Sequence, residues 1–138
     1  MGLSLTVRKN MKEFEPKKEE NLKKISSILK DQFSFECNFE ALYEITPDSF
    51  KNELGKIIYD QYLGGLAENL SKIMADEMTL EAFLGAATAK KISFLVEELD
   101  YSKFIQSSIV DGALCLVANK KHFPCNFKQA GSDLEKIL

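Results

Sequence analysis

A chain of 138 residues, 45% hydrophobic and 28% charged, can bury about two thirds of its unfolded surface and so needs neither disulfide nor metal to fold. Seven Gly and three Pro exclude a collagen-like or disordered composition. A formal net charge of −3 argues against a duplex-binding protein, because phosphate neutralisation supplies most of that affinity. The charge is unevenly spread. Residues 1–30 carry eight Lys/Arg against four Asp/Glu, a net of +4; residues 31–100 carry five against fourteen, a net of −9; residues 101–138 carry five against three, a net of +2. In the basic N-terminal run, Lys12, Lys17, Lys18, Lys23 and Lys24 alternate with Glu13, Glu15, Glu19 and Glu20, the pattern of a solvated helix face.

Leu3 to Val7 alternate apolar and polar and predict a short strand, ended by Glu15-Pro16 because the residue before a proline leans extended. From Pro16 to Leu29, Leu22, Ile25, Ile28 and Leu29 recur at the spacing of an amphipathic helix. Phe33, Phe35, Cys37 and Phe39 alternate with Ser34, Glu36, Asn38 and Glu40, which predicts a strand over 33–39 with one aromatic face. It is expected to pair with the N-terminal strand.

Thr46-Pro47-Asp48 reads as a helix start, followed by a stripe of Phe50, Leu54, Ile57, Ile58 and Tyr62 in which Gln61 is the polar exception. Gly64-Gly65 interrupts the stripe before Leu66, Leu70, Ile73 and Met74 resume it, predicting a kink or a junction at a close contact. Thr79 is read as the cap of a helix running to about Leu99, with a strand at 92–96 as the alternative, and residues 101–110 as a further short helix. Small residues at Gly85-Ala86-Ala87 suit a helix contact. Asp111-Gly112 signals a turn before a buried strand, Ala113–Ala118. His122 to Phe127 is irregular, and a helical turn capped by Ser132 or Asp133 closes the chain. The element order predicts an α+β fold: a predominantly helical single domain, 1–138, in which long amphipathic helices cover a small sheet. An all-α bundle is the fallback.

Chemistry is sparsely signalled. His122 is the single histidine, and Cys37, Cys115 and Cys125 are the three cysteines. With His122 the cysteines form a nominal zinc set, but no Cys-x-x-Cys spacing supports it, so no metal and no cofactor is expected. The phosphate-loop and dinucleotide glycine patterns are absent. Odd, sparse cysteines and the lack of a leader-like start predict a cytoplasmic protein. Met1-Gly2 through Thr6 match the myristoylation pattern, and membrane association is expected only through that modification. No catalytic set points to an enzyme.

The leading expectation is a non-enzymatic protein–protein binding or regulatory module of the inhibitor, immunity or adaptor kind. Its acidic middle would steer a partner with a basic surface through Asp60, Glu68, Asp76, Glu77 and Glu81, and nucleic acid is not expected as a partner. The alternative is a small-molecule-binding domain or an enzyme with an atypical pocket between strand 33–39 and the long helices, near Cys37, Tyr43, Tyr59 and Tyr62.

Overall fold

The computed structural model describes residues 2–138. Helix α1 spans Leu5–Leu29, strand β1 Ser34–Cys37, α2 Phe39–Ile45 and α3 Asp48–Lys51. A π-helical segment, Lys56–Tyr62, runs directly into α4, Leu63–Ile73; α5 is Glu77–Ala86. Strands β2 (Lys91–Glu97), β3 (Ile105–Val110) and β4 (Ala113–Asn119) follow, then a 3₁₀ turn at Phe127–Gln129 and a short α6, Leu134–Ile137. The four strands form one mixed sheet in the order β1-β2-β4-β3, with β1, β2 and β4 parallel and β3 antiparallel to β4. The architecture is α+β, as expected.

The N-terminal strand is the first correction. Residues 5–7 belong to α1, whose Ser4 side chain caps the helix by accepting from the Val7 amide at 3.3 Å. Leu3, Val7, Met11 and Phe14 lie against the core at three- and four-residue spacing, so five alternating residues also fitted one turn of helix. Nor does Pro16 end α1. It is exposed, so the carbonyl left without its helical partner faces water. Packing on both sides carries the helix through it.

Strand β1 forms within the expected 33–39 but is shorter, because Asn38 caps α2 by accepting from the Ala41 amide at 3.1 Å and Phe39 opens that helix; its partner is β2. Phe35 pairs with Ile92 and Cys37 with Phe94. The long helix read over 79–99 is corrected to a helix ending at Ala86 and a strand at 91–97. Residues 101–110 are corrected from helix to β3. Ile105 and Ile109 sit four apart, which imitates a helix, but Ile105, Ser107 and Ile109 share the β3 face that packs on the core. Asp111 (φ 51°) and Gly112 (φ 78°) make the two-residue hairpin turn whose twist suits the strands.

Capping differs in detail from expectation. Thr46 ends α2 instead of starting the next helix, its hydroxyl donating back to the Leu42 carbonyl. The cap of α5 is Asp76, which accepts from the Thr79 amide at 3.2 Å and the Thr79 hydroxyl at 2.7 Å. Gly85 has open space around it, so no helix packs there. Asp133 precedes α6, but its carboxylate instead accepts from the Ser107 amide at 2.9 Å, tying the C-terminus to the edge of β3.

Helices α1, α2, α4, α5 and α6 share one core with one face of the sheet. Ile92, Phe94, Leu114, Leu116 and Ala118 point into the core with Leu54, Ile58, Tyr62, Leu66 and Leu70. The other face carries Lys91, Ser93, Leu95, Cys115 and Val117, none of which joins that core.

Candidate functional site

A wide concavity lies between α1 and the continuous helix Lys56–Ile73. It is an open groove of about 1020 Å³, lined on α1 by Lys17, Glu20, Asn21, Lys24 and Ile28 and opposite by Asp60, Gln61, Gly64 and Glu68, with Phe127 and Lys128 at its margin.

Two features of the sequence build it. The first is a pair of asparagines on α1 that grip the π-helical segment. Asn10 Oδ1 accepts from the Lys56 amide at 2.9 Å, and Asn21 Nδ2 donates to the Tyr59 carbonyl at 2.8 Å. A π-helix has one more residue per turn than an α-helix and is disfavoured in isolation. Here the wider turn buries Ile57, Ile58, Tyr59 and Tyr62 together, and Asn21 adds a donor to its backbone.

Glycine is the second feature. A Cβ on Gly55 would come within 2.6 Å of Met11 Cα, and one on Gly65 within 3.1 Å of the Phe127 carbonyl carbon and closer still to its oxygen. Gly55 therefore lets the two helices touch, and Gly65 lets the 3₁₀ turn close against α4. Gly64 is different. A Cβ there would meet only the Asn21 amide, at 3.6 Å from Nδ2 and 3.9 Å from Oδ1. Its missing side chain lets the nearly buried Asn21 amide reach the lining of the groove.

Asn21 is only 5% exposed. Among the described residues its Oδ1 accepts no hydrogen bond, while Nδ2 serves Tyr59. An asparagine offers two donors and an acceptor, so part of this amide's capacity opens onto the groove.

The sequence-derived candidates divide. Asp60 and Glu68 line the groove. Asp76, Glu77 and Glu81 sit on or before α5, away from it, and Asp76 is occupied as the helix cap. Of the proposed pocket residues, Tyr59 and Tyr62 are core. Tyr59 packs edge-on against Phe39 at 5.3 Å and Phe35 at 6.5 Å, and Tyr62 lies 4.7 Å from Phe94. The Tyr62 hydroxyl donates to the Cys125 carbonyl at 2.9 Å. Burial holds the pKa of both phenols above the ordinary value. Burial likewise pushes the Cys37 thiol up to about 12, the opposite of what a nucleophile needs. Aromatic rings therefore occupy the space between β1 and the helices. Tyr43 lies apart, beside a smaller hollow of about 340 Å³ with Leu3 and Lys51, the Lys51 ammonium 4.7 Å from its ring.

The cysteines and histidine stay separate: among the described residues no three His, Cys, Asp or Glu side chains converge as metal ligands. His122 Nε2 lies 2.8 Å from the Tyr101 carbonyl, between the rings of Tyr101 and Phe104. Ser93 Oγ donates to Cys115 Sγ at 3.2 Å on the open face of the sheet.

Sequence reasoning passed over Asn21 and Asn119. Asn21 stands on the apolar stripe of α1, four residues before Ile25, and that misplaced polar residue was the available signal. Asn119 is wholly buried. Its Oδ1 accepts from the Leu99 and Lys121 amides, and its Nδ2 donates to the carbonyls of Asp100 at 3.0 Å and Lys103 at 2.8 Å. It pins loop 98–104 to the end of the sheet. No family model, curated protein or solved structure matches this chain.

Proposed function

We propose that this protein is a binding module that works by protein–protein contact, and that the groove between α1 and Lys56–Ile73 receives a segment of its partner. The shape of the groove carries this reading. Small-molecule sites span roughly 300–1,000 Å³ and enclose most of their ligand. At about 1020 Å³ and open to solvent, this groove stands at the top of that range and encloses an occupant only in part, which suits a helix or an extended peptide laid into it. Its walls are helices held by side-chain grips, so the recess needs little ordering before a partner enters. A π-helix in its wall adds support, because such segments occur frequently at functional sites.

A regulatory role and a cytoplasmic location belong to the same proposal; no helix of the described residues is long and apolar enough to cross a membrane. The experiment is a pull-down with C-terminally tagged wild type and Gly64→Leu, a substitution that projects a side chain over the groove floor. The expected result is a stoichiometric protein partner held by wild type and lost by the variant. A partner held equally by both overturns the groove as the site. A metabolite that raises the melting temperature of wild type alone, with no protein captured, favours a small-molecule site instead.

A further inference from the structure

The charges lining the groove lean positive. Lys17 Nζ lies 3.2 Å from Glu20, and Glu68 lies 3.8 Å from Lys72, each pair within a single helix. Lys72 itself lies outside the groove, so the lining carries Lys17, Lys23, Lys24 and Lys128 against Glu20, Asp60 and Glu68, an excess of one positive charge on a chain whose net charge is −3. Lys128 stands on a well-anchored turn, since Asn69 Nδ2 donates to the carbonyls of Lys128 and Ala130, both at 2.8 Å. The lining also holds the apolar Ile28, Ala67 and Phe127 beside the polar Ser27, Gln61 and Ser71, and the partly unused Asn21 amide matches the donor and acceptor of a peptide bond.

Building on the protein-binding reading above, we propose that the occupant is an acidic peptide segment with interspersed apolar side chains. Its carboxylates pair with Lys23, Lys24 and Lys128, its apolar side chains rest on Ile28, Ala67 and Phe127, and one main-chain amide meets Asn21. This reverses the polarity expected from the acidic middle of the sequence. Exposed lysines form screened, individually weak pairs, so affinity falls as salt rises while the apolar contacts persist.

The test uses the full chain and capped, fluorescein-labelled peptides of about 12 residues, with Leu at helical spacing and Glu, Gln or Lys elsewhere, read by fluorescence anisotropy. The Glu peptide should bind about tenfold or more tightly than the Gln peptide at low salt, and this advantage should shrink between about 50 and about 300 mM salt. Lys24→Glu with Lys128→Glu should remove it, and Asp60→Asn should increase it, with thermal melts confirming that each variant is folded. A Lys peptide that binds as tightly as the Glu peptide overturns the acidic occupant; if Gly64→Leu abolishes that binding, the protein-binding reading survives. Displacement by a single-stranded oligonucleotide more readily than by unlabelled Glu peptide assigns the lysines to nucleic acid and overturns the proposal. If no peptide binds, the acidic segment is overturned, and the Gly64-sensitive partner of the pull-down decides whether protein binding goes with it.

Discussion

Two surfaces of this protein are left uncovered by its own elements, and they are built in opposite ways. The open face of the sheet is flat and its polar groups are used. Lys91 pairs with Glu36 at 3.3 Å, Ser93 with Cys115, and Asn119 closes the end of the sheet by binding loop 98–104. The groove is concave, and its lining holds a nearly buried amide that is only partly used, beside a glycine whose Cβ would meet it. Val117 on the sheet face is 9% exposed and Asn21 in the groove 5%, so exposure does not distinguish the two. Hydrogen-bonding capacity that no protein group uses does, because a ligand meeting it displaces water and no protein partner.

The comparison breaks most severely at Asn119. Asn119→Ala strands the amides of Leu99 and Lys121 and the carbonyls of Asp100 and Lys103, and should cost about 3 kcal/mol in urea denaturation. Hydrogen exchange should rise over 98–104 and leave the groove helices protected. Next in size is Gly65→Ala, expected to cost about 2 kcal/mol because its Cβ meets the backbone of Phe127 and not a movable side chain. Asn21→Ala removes the donor to the Tyr59 carbonyl and should cost about 1–2 kcal/mol, while weakening the acidic peptide.

Gly64→Ala has the opposite sign. Its Cβ fits beside Asn21, and replacing glycine within a helix should stabilise the fold by about 0.5–1 kcal/mol. Adjacent glycines with opposite responses would separate a packing role from a binding role; equal losses at both would remove Gly64 from the groove argument.

The smallest effect is expected at Asp31, beside neither surface. The Lys90 ammonium, 2.7 Å away, and the Gln32 amide hold its pKa below the ordinary 3.8. A depressed carboxylate contributes stability above its unfolded pKa and loses it as pH falls through the folded value. Asp31→Asn should therefore lower the urea midpoint slightly near neutral pH, with the difference from wild type vanishing in acid.

Part of the candidate site was legible in the sequence. Gln61 stood out as the polar exception on its stripe, and Gly64-Gly65 as an interruption where something approaches closely. Both belong to the groove. Asp60 and Glu68 were singled out for charge and also line it, but the lysines from α1 and from residue 128 that face them had been read as solvated or left unremarked. A charge's neighbours across a groove are set by tertiary packing, and runs along the chain do not record them.

The sequence by itself determined the fold class, the strand at 34–37, the buried strand after Asp111-Gly112 and much of the apolar stripe of the long helices. The helices and the strand at 34–37 alternate between core and water with a period of their own, and Ala113–Ala118 is a short apolar run behind a turn signal. Only the tertiary structure decided that β1 pairs with β2, that residues 5–7 are helical, and that 105–110 is a strand. Those segments are too short for period alone to choose, and their backbone partners lie far away in the chain. It also decided the groove, which depends on Asn21 reaching Tyr59 38 residues later and on a glycine at the position that faces the amide.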